Sequence, residues 1–292
     1  MRSASSRTCA SVFSERARRV LRPRSVSARV LLLYGCLLAG TTRVRAAELD
    51  VDVAANPDFI YSTSDVVQAV LDDKLRFGAG WALLGDTRGT RHGARALGGV
   101  DFNGVDIAAI VSWAPAQEGR GWLAAELEMD DEIAIDDRVA LTLHAESAAR
   151  RADLATSAGG VITAGQLHAA ALATLVADGR WRVGALGAAS LYDVDLARRG
   201  VRQSDAGVLV SIAGRPERWA FGVRGGRRFG DSLLVELGLT GVAFADGTGA
   251  ACVPRVSVRA HPLRWLTMEL TGELLVLATT SLVGGLAVEV TP

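Results

Sequence analysis

Side chains with catalytic potential are few and widely spaced in this chain. Beyond residue 46 the histidines are His92, His144, His168 and His261. Hydrolysis through a hydroxyl nucleophile needs a histidine at hydrogen-bond distance and a third group to orient it. His144 and Ser147 are the nearest such pair along the chain. Three residues apart on a regular strand, they fall on opposite faces and cannot form a nucleophile–base pair. His92 stands in an Arg-rich, Gly-rich stretch near Asp86 and reads as a solvated side chain. His261 precedes Pro262 and reads as a structural turn residue. Zinc-type ligand spacing is absent. Gly222-Val223-Arg224-Gly225-Gly226 falls on a strand without the helix a phosphate loop requires, so its glycines read as relief of crowding on a curved wall. The sequence therefore offers no catalytic, cofactor-binding or metal-binding set.

The remaining chemistry lies in charges at alternate positions: Arg182, Arg224, Arg228, Glu236, Arg255, Arg259, Glu269 and Glu273. Successive segments carry opposite signs. Glu126 and Glu128 are followed by Arg138 and His144. Arg224 and Arg228 are followed by Glu236, and Arg255 and Arg259 by Glu269 and Glu273. If consecutive strands pair as antiparallel hairpins, these become cross-strand neighbours. On an open surface such pairs contribute little. In an enclosed interior they are needed, because unpaired charge away from bulk water is costly. Two roles follow: setting the ion preference of a channel, as charged rings do, or structural pairing that stiffens the wall.

These charges must be held on strands, because the surrounding pattern has a period of two. Trp219, Phe221 and Val223 alternate with Ala220, Gly222 and Arg224. Leu75, Phe77, Ala79, Trp81 and Leu83 alternate with Arg76, Gly78 and Gly80. Similar runs lie in 100–113, 123–129, 139–144, 181–185, 208–212, 233–240, 255–261, 266–276 and 282–290, with a weaker one in 158–176. Successive side chains on a strand point to opposite faces, so each run has a greasy face and a polar one. Residues 85–98 read as a polar, Gly-rich loop. Ala155 to Ala177 and Leu274 to Val288 carry no charge. The first leaves a helical reading open, while Gly284-Gly285 and Thr279-Thr280-Ser281 favour strand–turn–strand for the second. Arg-Trp opens three runs (Arg180-Trp181, Arg218-Trp219, Arg264-Trp265), which suits an interfacial aromatic girdle; a Trp packing the end of a soluble core is the alternative.

Residues 1–46 read as an export leader. Ten arginines precede or flank an eleven-residue apolar stretch, Val30 to Gly40, and Val44-Arg45-Ala46 supplies a cleavage site. That stretch is too short to span a bilayer, which takes about 20 apolar residues. Leu33-Tyr34-Gly35-Cys36 offers a lipobox as an alternative, with a bulky Tyr34 against it. Without the leader the chain has 22 basic and 31 acidic residues, a net of −9, which argues against nucleic acid as a partner. Cys252 remains alone, so no intramolecular disulfide forms, and it reads as a packing residue. Residues 47–74 read as an N-terminal extension with a short helix over about 64–73, with Ser64 as N-cap and Val66, Val67, Val70 and Leu71 at helical spacing.

A leader, many alternating strands, short turns and polar loops together resemble the bacterial outer-membrane β-barrel proteins. The resemblance covers 75–292 and is one of architecture. It implies an all-β, single antiparallel up-and-down transmembrane β-barrel of about 12 strands (10–14). It also implies an outer-membrane location, with membrane lipid and the barrel assembly machinery as partners. Two features depart from the pattern. The chain ends Glu289-Val290-Thr291-Pro292 instead of on an aromatic residue, and its aromatic content is only 5%. The implied function is a passive small-solute pore or a structural wall protein with a charge-paired lumen. The alternatives are a secreted soluble β-protein that binds a ligand or partner, and a lipid-modifying barrel enzyme. No oligomer interface is read from the sequence.

Overall fold

The computed structural model describes residues 48–55, 59–70, 74–86, 89–117, 120–201, 209, 211–212, 215–276 and 280–290. The leader, the lipobox-like stretch and the cleavage site lie outside the described residues. Fifteen strands are present: β1 (Glu48–Ala55), β2 (Phe59–Val70), β3 (Leu75–Asp86), β4 (Gly89–Phe102), β5 (Val105–Gln117), β6 (Arg120–Ala134), β7 (Val139–Ala155), β8 (Val161–Ala177), β9 (Trp181–Tyr192), β10 (Ser211–Ile212), β11 (Arg215–Phe229), β12 (Leu233–Phe244), β13 (Ala250–Leu263), β14 (Leu266–Val276) and β15 (Thr280–Val290). One short helix, α1 (Leu196–Arg199), lies between β9 and β10. Each strand pairs antiparallel with the next except β9, which pairs with β11, and β15 returns to pair with β1. The wall is thus a closed barrel of fourteen strands, with β10 only a two-residue ladder on β11. Closure leaves no edge strand with unmet backbone groups, which is what a hydrocarbon surround demands.

The outer face is apolar. Phe221 is 64% exposed and Leu270 54% exposed, and Val235 shares their side of the sheet. On β11, Trp219 and Phe229 both face outward, ten residues apart. At about 3.3 Å per residue and about 40° tilt they stand about 25 Å apart along the axis, the height of a lipid-facing band. The Arg227 guanidinium lies 4.7 Å over the Trp181 ring and 5.2 Å from the Phe229 centroid. This aromatic–arginine group sits where β9 begins and β11 ends, as interfacial anchors do. Trp81 donates its indole N–H to His92 Nδ1 at 3.1 Å, so that donor is met within the protein on the lipid side.

Several expectations need correction. The barrel has fourteen strands, not about 12, because residues 48–70 are wall and not an extension. In β1, Leu49, Val51 and Val53 alternate with Glu48, Asp50 and Asp52, a strand pattern from its first residue. Residues 64–70 continue β2 and are not a helix; residues 71–73 lie outside the described residues. The β-branched valines that mimic helical spacing there are better strand formers. Residues 89–98, read as loop, are strand β4, and His92 is on the barrel wall. The run assigned to 100–113 is broken by a hairpin at Asn103 (φ 55) and Gly104 (φ 91), the Asn-Gly signature of a two-residue type I′ turn. The stretch 208–212 is not a wall strand: only β10 lies in it, and Leu209 is buried. The Ala-rich stretch of 158–176 falls mainly on strand β8, and the uncharged 274–288 falls on β14 and β15, with residues 277–279 outside the described residues. Among the described residues no helix is long and apolar enough to cross a membrane. Cys252 is exposed, not packed inside.

Both ends of the wall segment, Glu48 and Val290, lie at one mouth, together with the Asn103-Gly104 and Asp178-Gly179 turns. We call this the turn end. The opposite mouth, the loop end, carries the longest connection, residues 193–214.

Candidate functional site: a charged lumen beneath an apolar plug

Inward-facing positions alternate with lipid-facing ones, so sequence parity decides what enters the lumen. All eight candidate residues point inward. Arg182 lies on β9, Arg224 and Arg228 on β11, Glu236 on β12, Arg255 and Arg259 on β13, and Glu269 and Glu273 on β14. The register sets Arg259 opposite Glu269 and Arg255 opposite Glu273. Arg259 donates to Glu269 Oε2 from Nε at 2.9 Å and also from Nη2, and Ser257 Oγ donates to Glu269 Oε1 at 2.6 Å. Arg255 Nη1 is 4.0 Å from Glu273 Oε1.

The other expected pairings differ in their partners. Glu126 accepts from Arg150 Nη2 at 2.8 Å, and His144 Nδ1 sits 2.9 Å from Asp130. Arg138 is exposed at the turn, where its backbone N–H is fixed to Asp136. The sequence pairing failed here because β6 runs on to Ala134, which shifts the register past Arg138.

A recurrent device shapes this interior: a polar contact that skips one strand by passing over a glycine. Asp65 on β2, Gly80 on β3 and Arg95 on β4 form one row. Arg95 Nε donates to both carboxylate oxygens of Asp65, at 3.0 and 3.1 Å, above Gly80. Arg76 reaches Asp106 on β5 over Gly99 of β4, and Arg224 Nη2 donates to Thr174 of β8 at 3.0 Å over Gly184 of β9. Arg182 and Glu236 also flank Gly226, on its two neighbouring strands, without a hydrogen bond between them. A side chain at Gly226 would meet Glu236 Cγ at 2.5 Å. These glycines are required by close approach of side chains, not by backbone angle.

Towards the loop end the lumen changes character. Inward residues Ala82 and Leu84 (β3), Ala114 (β5), Trp122 (β6), Ala152 and Leu154 (β7) pack with Leu196 of α1 and with Leu209 into one apolar cluster. Leu84 is 0% exposed and Leu196 1%. A second cluster, Ala220, Val242, Phe244, Val253, Leu275 and Val283, lines the facing arc. The 193–201 segment is fastened from two sides. Asp195 caps α1 by accepting from Arg198 N–H at 3.0 Å, and Gly200 (φ 61) ends it. Ser157 N–H donates to Gly200 O at 2.7 Å, and Thr156 bridges to Val201. On the other flank Arg215 Nη1 donates to Asp246 at 2.7 Å, and Gly247 lies against Ala197. Residues 193–201 and Leu209 are therefore folded into the barrel mouth as a plug.

The structure also brings together a trio that sequence spacing did not reveal. His168 (β8), Ser190 (β9) and Glu217 (β11) meet on the inner face below the plug. Ser190 Oγ is 3.0 Å and Glu217 Oε1 3.3 Å from His168 Nδ1. Gln166 Nε2 donates to Ser190 Oγ at 3.2 Å and to Tyr192 Oη at 2.9 Å, and Tyr192 Oη donates to Glu217 O at 2.7 Å. The residue types match a hydrolytic triad, but the geometry does not. Hydroxyl and carboxylate converge on one ring nitrogen, so the imidazole cannot take a proton on one side while held by the acid on the other. Ser190 is 2% exposed, out of reach of a lipid ester. These contacts knit three strands together. His144 and Ser147 do lie on opposite faces, as expected; Ser147 is exposed outside. His261 Nδ1 is 3.1 Å from Thr267 Oγ1, consistent with a structural role.

Glu48, Asp50 and Glu289 form the one carboxylate group among the described residues compact enough for a metal.

No family model matches the chain, and no curated protein matches it. Solved structures do. OccAB3 of Acinetobacter baumannii aligns with TM-score 0.50 at 9% identity, over 80% of this chain and 68% of that one. A bacterial polysaccharide outer membrane secretin aligns with TM-score 0.49 at 11% identity, over 84% and 98%. The KdgM porin, solved with disordered oligogalacturonate, aligns with TM-score 0.45 at 8% identity, over 84% and 99%. At these identities the likeness is one of fold. The chain folds as a closed antiparallel β-barrel, and the solved structures it resembles in fold include porins and an outer membrane secretin.

Proposed function

We propose that the chain is a porin-like solute channel of the outer membrane that is shut at rest by residues 193–201 and Leu209 of the connection between β9 and β11. The observation that carries this reading is the apolar cluster that joins the walls to Leu196 and Leu209 across the loop-end mouth. A dry apolar constriction opposes ion passage by excluding water. Beneath it lies a chamber of paired and partly exposed charges. A barrel serving only as a wall has no need of that chamber, since well-packed apolar residues fill an interior at least as stably as buried ion pairs. The lipid-height outer band and the absence of edges support membrane insertion by the barrel assembly machinery, with lipid as solvent. Outer-membrane barrels keep short turns in the periplasm, so the turn end faces inward and the plugged end faces outside. Transport is passive, and the one Ser–His–Glu trio is built for packing.

Planar-bilayer recording tests this. The wild-type barrel stays mostly closed. Leu196→Asp with Leu209→Asp places two carboxylates in the apolar cluster, at several kcal/mol each if the plug stays seated. Since each 1.4 kcal/mol is tenfold in an equilibrium, the open fraction should rise by about tenfold or more. Heat-modifiable migration on gels checks that the variant barrel is folded. A folded variant as silent as the wild type would point to a wall protein instead.

A further inference from the structure

We infer that this lumen selects for cations, so that its solutes are small cations or oligocations; this rests on the channel reading above. The five inward arginines of β9, β11 and β13 (Arg182, Arg224, Arg228, Arg255 and Arg259) stand against four inward glutamates of the same side (Glu217, Glu236, Glu269 and Glu273), so this arc is close to balance. Arg259 and Arg255 face Glu269 and Glu273, and Arg182 lies across Gly226 from Glu236. The other arc, β15 with β1 to β7, is not balanced. The register there sets carboxylates directly opposite one another: Asp50 against Glu289, Asp106 against Asp130, and Glu128 against Glu146.

Like charges directly opposed across a ladder are destabilising. Arg76 engages Asp106 and His144 engages Asp130, yet among the described residues carboxylates outnumber guanidiniums on the inner faces of this arc. Such a surplus persists only where something outweighs its cost, and a functional interior is the usual place. Mobile counter-ions must then fill the chamber, and electroneutrality makes them cations. Fourteen strands about 4.8 Å apart and tilted about 40° give a wall radius of about 14 Å before side chains are counted. The Debye length at 0.1 M salt is about 10 Å, so wall charge reaches the axis. The selecting element is the arc as a whole and not one coordination site.

The test is a reversal potential across a gradient of about 0.1 M to 0.01 M KCl, on the full barrel carrying Leu196→Asp and Leu209→Asp. The expected result is K⁺ over Cl⁻ permeability of about threefold or more. Adding Glu128→Gln and Glu146→Gln should carry the ratio measurably towards one, in proportion to the share of the arc's charge that they remove. A potential near zero, one favouring Cl⁻, or a ratio unmoved by the glutamine changes overturns the selectivity. A folded barrel that never conducts overturns the channel reading itself, and the selectivity falls with it.

Discussion

Arg95→Met should lower the stability of the barrel by about 3–5 kcal/mol, the penalty for leaving one half of a buried ion pair behind. Asp65 is 2% exposed, and its carboxylate receives Arg95 Nε on both oxygens. Removing the guanidinium strands that charge in a tight place. Asp65→Asn made together with Arg95→Met should recover much of the loss, so the pair is strongly non-additive. Gly80→Ala acts on the same unit from beneath. A methyl group there would overlap Asp65 Oδ1 and the carbonyl oxygen of Ser64. The second is backbone and cannot swing aside, so β2 and β3 must separate locally. Urea titration in lipid vesicles, followed by tryptophan fluorescence, measures all three variants. Equal stability of Arg95→Met and wild type would show that the pair contributes nothing.

Leu237→Arg should destabilise by about 2–4 kcal/mol, the range for an arginine near the midplane of a barrel's lipid face. Leu237 is 64% exposed in the middle of β12, with Glu236 on its lumen side. In a water-soluble sheet the same change would be nearly neutral. The magnitude therefore reports directly on what surrounds the outer face. Cysteine labelling provides an independent check. A cysteine at Val223 should react with lipid-soluble maleimide, and one at Arg224 only with reagent admitted to the lumen. Identical labelling at both positions would contradict a two-sided wall.

Much of the wall was legible because parity is a strong local signal. Trp219, Phe221 and Val223 face out and Arg224 faces in, as the alternation dictates. The Arg255–Glu273 and Arg259–Glu269 pairs were also legible, since alternation puts all four on the inner face of adjacent strands, although their register depends on an irregularity between Ala260 and Leu263 that the Arg264-Trp265 turn does not supply. Where the sequence misled, a local pattern met a stronger signal that had been passed over. Val66, Val67 and Val70 imitate a helix, but Leu49, Val51 and Val53 had already begun a strand to pair with them. Asn103-Gly104 splits an apolar run that otherwise reads as continuous. Other features were out of reach in principle. His168, Ser190 and Glu217 come from three strands and meet only because two registers and a bulge between Glu217 and Trp219 bring them level. The plug is likewise invisible in sequence, because Leu196 and Leu209 bear no periodic relation to the residues they meet.

The glycine-bridged rows have a consequence for how the barrel reaches one alignment. A strand displaced by one residue turns its whole inner face outward, and a displacement by two preserves parity and would go unpunished by grease alone. Gly80, Gly99, Gly184 and Gly226 penalise that second error. Slide β3 by two, and Ala82 or Gly78 comes beneath the Asp65–Arg95 bond; only one of them leaves it space. Each row thus blocks at least one direction of slip, and those that carry a bond fasten strands that share no backbone ladder, proofreading the closure of the cylinder.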